Sequence, residues 1–113
     1  MQKKFKTKDS GKRVGFKSGM VRDTEENKPR YDLVYMPMFK RWAELLDRGA
    51  KKYGERNWEK ADGEEELVRF KSSAFRHLIQ WLENEEDEDH GAAVFFNISG
   101  AEMVKSKLNK NER

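Results

Sequence analysis

Residues 62–84 read DGEEELVRFKSSAFRHLIQWLEN, and this stretch decides the fold. Asp62 or Gly63 stands where a helix cap belongs, and Glu64, Glu65 and Glu66 complement the positive end of a helix dipole. Leu67, Lys71, Ala74, Phe75, Leu78 and Leu82 then fall on one face of a 3.6-residue period, with Val68 and Ile79 widening it. His77, Trp81 and Glu85 lie four apart and form a second stripe beside the first. The spacing predicts a helix ending near Asn84.

Two further helices flank it. Upstream, Pro37 suits a first helical turn, where its missing N–H would be unpaired anyway. Phe39, Trp42, Ala43, Leu46, Ala50 and Tyr53 follow on one face, and Gly54 is the expected stop. Gly49, inside this helix, costs about 1 kcal/mol against alanine; a close neighbour is expected to account for it. Downstream, Asp89 can cap a helix that begins at His90 or Gly91. Ala92–Ile98 is apolar except for Asn97, a pattern expected to be buried on several sides. Ala101, Val104 and Leu108 continue it amphipathically, and residues 109–113 read as a polar, frayed tail. Residues 1–27 carry isolated apolar residues at no helical spacing. They read as a mostly irregular basic arm in which short strand pairing remains open. The expectation is an all-α fold: a small bundle of three main helices over residues 28–108, preceded by the arm.

Composition narrows the setting. The chain has 113 residues, 35% hydrophobic and 40% charged, with no cysteine and a formal net charge of +3. That is one domain with a thin core, for which self-association is expected to supply further burial. Disulfides and thiolate sites are excluded. No apolar run approaches the roughly 20 residues of a membrane span, and the basic start lacks a signal peptide's apolar stretch, so a cytoplasmic location is expected. Charge is unevenly placed: residues 1–30 hold ten Lys/Arg against four acids, and residues 83–89 hold six acids and no base. The first block suits phosphate and the second suits hard divalent cations such as Mg²⁺ or Mn²⁺. Ordinary solvated surface is the competing reading for both.

Several residues are candidates for chemistry. Asn97 must find a partner in its apolar surroundings: another helix, a water, a ligand or a metal-bound water. His90 follows the acidic run and is a possible ligand beside it. His77 lies two helical turns before Glu85, where it can orient a carboxylate, donate to a phosphate, or close the edge of the core. Residues 49–58, GAKKYGERNW, interleave cations with aromatics: Lys52 and Arg56 suit phosphate, while Asn57 and Trp58 suit a base. There is no Walker-type loop, GxGxxG or nucleophile elbow, so any phosphate binding falls to side chains and metal.

Taken together, SGMVRD (18–23), KPRYDLV (28–34), GAKKYGERNW (49–58), Arg76-His77-Leu78, Trp81, the acidic linker and His90 through Asn97 resemble the dATP/dGTP diphosphohydrolase N-terminal domain family of phages and prophages. The resemblance covers about residues 16–105. It implies an all-α nucleotide pyrophosphohydrolase, distantly similar to MazG-type enzymes and like them a dimer or tetramer, that cuts purine deoxynucleoside triphosphates to monophosphate and pyrophosphate with divalent metal. Carried over by position, Asn84-Glu85 occupies the family's Gly-Glu pair after the tryptophan, Glu88 or Asp89 fits the later acid, and Glu44 matches a glutamate five residues before the Gly-Ala pair. His90 and Asn97 complete the implied metal shell. Glu44 and Glu85 are the implied catalytic carboxylates, and Lys28, Arg30, Lys52, Arg56, Asn57, Trp58 and His77 the implied nucleotide contacts. Ala93 stands where the family often has a second histidine. That departure supports an alternative: a non-catalytic nucleotide-binding or partner-binding phage accessory protein. Nucleic-acid binding through the basic arm ranks last, because the acidic linker repels a phosphate backbone.

Overall fold

The computed structural model describes residues 4–111. The chain divides into two compact units between Val34 and Tyr35. The expected domain boundary lay at 27/28, so the KPRYDL segment stands with the arm. Among the described residues three α-helices carry the second unit, and a two-stranded sheet lies in the first. The fold is therefore helical with a small sheet, not purely all-α.

In the first unit β1 (Arg13–Gly15) pairs antiparallel with β2 (Val21–Asp23), matching Val14 to Arg22. Gly19 adopts φ 94°, a conformation that a side chain opposes, and closes the turn through its N–H to the Phe16 carbonyl at 2.9 Å. Asp23 anchors the hairpin base by accepting from the Ser10 and Thr24 amides at 3.2 and 3.0 Å. Asp9 grips Arg13 with two bonds of 2.7 and 2.8 Å. The arm thus has local order where isolated apolar residues indicated little, because polar side chains rather than a core organise it.

In the second unit α1 (Met36–Tyr53) starts from an extended Tyr35 with proline in its first turn, and Gly54 ends it at φ 93°. A 3₁₀ turn, Asn57–Lys60, follows a left-handed Arg56. α2 (Glu64–Leu82) begins at Gly63, where Glu66 reaches back to accept from the Asp62 and Gly63 amides at 2.9 and 3.1 Å. α3 (His90–Asn111) is capped by Asp89, whose carboxylate accepts from the Ala92 amide at 3.1 Å. It runs through residues 109–111, which read as a frayed tail.

α2 and α3 form the principal pair and run antiparallel, since His77 meets His90, Phe70 meets Gly100, and Lys107 reaches Ala61. A Cβ on Gly100 would stand 2.4 Å from the Phe70 ring, so glycine there sets how closely the helices approach. Ala61, Leu67, Ala101 and Val104 form the core, with Phe70, Met103 and Leu108 packed on it. α1 rests on α3 more lightly: Trp42 meets Phe95 edge-on at 6.2 Å, and no residue of α1 is fully buried.

Three expectations about faces are corrected. On α1 the half-buried residues are Met38, Trp42, Leu45, Leu46, Gly49 and Ala50, whereas Phe39, Ala43 and Tyr53 are exposed. On α2 the inward edge runs through Leu67, Phe70 and His77, leaving Phe75, Leu78, Ile79 and Leu82 outside. On α3 Phe95 and Ile98 are about half exposed, so the apolar run is buried on one side only. On α2 and α3 the cause is shared: small residues (Ala92, Ala93, Gly100, Ala101) lie buried on α3, and at Gly100 the Phe70 ring of α2 comes close, while these larger apolar side chains stay outside. Among the described residues nothing lies within 4 Å of where a methyl group on Gly49 would stand, so close packing does not account for it.

Candidate functional site

A groove of about 1280 Å³ opens within the second unit. Arg48, Gly49 and Lys52 of α1 form one side, continued by Arg56, Asn57 and Trp58 of the following turn. Arg69, Phe70, Ser73 and His77 come from α2, Glu86–Asp89 from the linker, and Ala93, Phe96 and Asn97 from α3. The basic, aromatic segment and the acidic linker therefore face one space. Its apolar lining is ordered: Trp58 stands edge-on to Phe96 at 6.3 Å, and Phe96 edge-on to Phe70 at 6.1 Å. The Lys107 ammonium holds the turn bearing Asn57 and Trp58 by donating to the carbonyls of Ala61 (2.9 Å) and Glu59.

At the acidic end two histidines meet. His77 Nδ1 and His90 Nδ1 are 2.9 Å apart, and both residues are buried, at 7% and 2% exposure. His90 Nε2 lies 2.7 Å from an oxygen of Asp87. As a carboxylate only accepts, His90 donates from Nε2; in the neutral ring Nδ1 is then the acceptor and His77 donates to it from Nδ1. Burial, Arg76 and His90 together lower the pKa of His77, against the pull of Glu88. The hydrogen bond from His90 lowers that of Asp87.

Asp89 is spent on structure. Arg41 donates to both of its oxygens, at 2.8 and 2.6 Å, and Ala92 N–H adds a third bond. The Arg41 guanidinium holds the Asp89 carboxyl at a pKa of about 2. The Arg41 pKa is raised in turn, first by Asp89 and more weakly by nearby Tyr35 and Glu44.

The sequence-derived candidates are distributed unevenly. Lys52, Arg56, Asn57, Trp58, His77, Glu88, Asp89 and Asn97 line the groove. Glu85 and His90 line a smaller depression beside the linker, with Arg41 and Trp81. Glu44 is exposed on α1 and lines neither. Lys28 and Arg30 belong to the first unit, where Arg30 is paired with Asp32 at 2.7 and 2.9 Å. Glu85 lies beyond the end of α2, so the expected two-turn alignment of His77 with Glu85 is replaced by the contact with His90. Asn97 meets its need for a partner within its own helix, donating to the Ala93 carbonyl at 2.8 Å and leaving Oδ1 as its acceptor. Sequence reasoning missed Asp87, Arg41, Arg69 and Phe96. The three-residue spacing of Asp87 and His90 was a usable signal; nothing local marked Arg41, which meets Asp89 across 48 positions.

These elements define a class: a three-helix domain with a cation-and-aromatic groove that ends at buried histidines and a carboxylate linker. The chain belongs to the dATP/dGTP diphosphohydrolase N-terminal family, whose sequence model matches residues 18–112. The family description points to a nucleotide hydrolase. No curated protein and no solved structure matches the chain. No helix among the described residues is long and apolar enough to cross a membrane.

Proposed function

We propose that the groove binds a purine deoxynucleoside triphosphate (dATP or dGTP) and that the domain hydrolyses it to monophosphate and pyrophosphate with Mg²⁺ or Mn²⁺, as a MazG-like enzyme of phage type. One observation carries this reading: the linker carboxylates and the Lys52–Trp58 segment border the same groove. Its volume exceeds the usual range for a small-ligand pocket, leaving space for ordered water and ions beside a nucleotide.

Arg48, Lys52, Arg56 and Arg69 neutralise the triphosphate, and Trp58 with Phe96 offers ring faces and edges to the base, beside the Asn57 amide. Glu86 and Glu88 are exposed carboxylates on the groove wall, a hard-oxygen donor set that fits Mg²⁺ or Mn²⁺. When bound, the ion supplies charge neutralisation at phosphate and acidifies a water. A water positioned by these carboxylates attacks the α-phosphorus, the bond to the β-bridging oxygen breaks, and a linker carboxylate takes the water's proton. Glu86 and Glu88 suit that task better than Glu44 or Glu85, which lie off the groove wall, and Asp89 is committed to Arg41. Lys28 and Arg30, in the first unit, are phosphate-binding candidates on the KPRYDL resemblance alone. A homo-oligomer in a host-cell cytoplasm completes the picture, supported by the apolar residues left outside on α2 and α3.

The test is pyrophosphate release from dATP and dGTP with either metal. Release that falls at least tenfold in Arg56→Ala and Glu88→Gln supports the reading. Nucleotide-dependent thermal stabilisation with no release at micromolar enzyme would replace it by the non-catalytic binding protein that Ala93 favours.

A further inference from the structure

The geometry points to a nitrogen-ligated divalent-cation site formed by His77 Nδ1, His90 Nδ1 and a carboxylate oxygen of Glu88, selective for borderline ions such as Zn²⁺ or Co²⁺ over Mg²⁺. The ligand atoms of these three residues all lie within 4.8 Å of one another. The two imidazoles come from different helices and are more than nine-tenths buried. Two buried imidazole nitrogens face each other at 2.9 Å across the seam between α2 and α3 and share a single hydrogen bond. The arrangement around them is that of a ligand set. Asp87 accepts a hydrogen bond from His90 Nε2–H, which in the neutral ring fixes the tautomer and aims the Nδ1 lone pair inward, as outer carboxylates do for metal-bound histidines. His77 needs only to move its proton from Nδ1 to Nε2 to present a second lone pair, so the change releases no net proton.

Metal–nitrogen bonds of about 2.0–2.1 Å in tetrahedral geometry set two ligand nitrogens roughly 3.3 Å apart. The pair therefore has to open by about 0.4 Å, a small rocking of two rings. Imidazole nitrogen favours zinc-like ions, while magnesium prefers oxygen and water. Three protein ligands leave a position open, and Glu88 and His77 both border the groove, so that position faces the space proposed for the triphosphate. The site deepens the hydrolase reading, sharing Glu88 with it, but its ion binds with no nucleotide present, so the two are tested apart.

The chain contains only two histidines, which makes the wild-type protein its own probe. Co²⁺ titration of the full chain is followed by visible absorbance and by the two histidine C2–H resonances. Broadening of both resonances at one equivalent of Co²⁺, an intense low-symmetry cobalt spectrum, and retention of the ion in excess Mg²⁺ are expected. Asp87→Asn should weaken Co²⁺ binding about tenfold or more with helical circular dichroism unchanged, and Glu88→Gln should weaken it as well. Sharp histidine resonances at one equivalent, or displacement of Co²⁺ by equimolar Mg²⁺, would overturn the site. Intact Co²⁺ binding together with absent pyrophosphate release would remove the hydrolase reading and leave this site standing.

Discussion

Asp89 caps α3 and binds Arg41, and the two tasks are separable by substitution. Asparagine is also a good cap, so Asp89→Asn should remove mainly the ion pair, worth about 0–1 kcal/mol with Arg41 half exposed. Asp89→Ala removes the cap too and should cost about 1–2 kcal/mol in urea unfolding at pH 7. The unfolded carboxyl titrates near 3.9, while in the fold the guanidinium holds it at about 2. The pair's stabilisation is therefore complete above about pH 4 and is lost as pH falls through 2. The gap between wild type and Asp89→Asn should shrink over that window, and a gap undiminished between pH 4 and pH 2 would show that the pair is not its source. Asp89 was legible from sequence as a cap; its partner Arg41 was not, because the contact spans 48 positions and depends on how α1 lies against α3.

At the scale of an element, the two helical glycines should respond oppositely. Gly100→Ala drives a methyl into Phe70 and should destabilise by about 1–3 kcal/mol. Gly49→Ala meets open space and should stabilise by about 1 kcal/mol, measured by thermal melts, while weakening dATP binding because the methyl enters the groove. Stabilisation with unchanged nucleotide affinity would argue against that wall as a contact. Lys107 links elements: Lys107→Met should loosen the turn carrying Trp58, at about 1.5–3 kcal/mol for lost charge-assisted bonds. Trp58 fluorescence should then move toward that of a solvated indole, and an unchanged spectrum would count against the linkage. Helix boundaries were readable to within a residue or two from Pro37, Gly54, Gly63 and Asp89, since caps and stops are local chemistry. The faces were not. Phe75, Leu78 and Leu82 form the more apolar stripe of α2, yet the close seam with α3 selects the stripe containing His77.

For the helical unit as a whole, that reversed stripe is the main anomaly. Phe75, Ile79 and Leu82 are 67%, 43% and 59% exposed along one side of α2, and Phe95 and Ile98 are similarly open on α3. Contiguous apolar surface of this kind marks an interface. The wild-type chain is expected to run as a dimer or larger species in light scattering at micromolar concentration. Phe75→Glu with Leu82→Glu should reduce it to a monomer that keeps its helical signal, because neither side chain belongs to the core. A wild-type chain that stays monomeric across that range would exclude self-association through this face.

The sequence alone determined the helices and their ends, because hydrophobic period, capping carboxylates, proline and glycine act within a turn or two of themselves. It also held the recognisable family segments and the opposed charge blocks. Tertiary structure decided which face of each helix turned inward and brought His77 against His90. It also set the linker across one groove from Trp58. Those outcomes follow from how closely two helix backbones approach at Gly100 and Ala101, a distance fixed by packing between segments far apart in the chain.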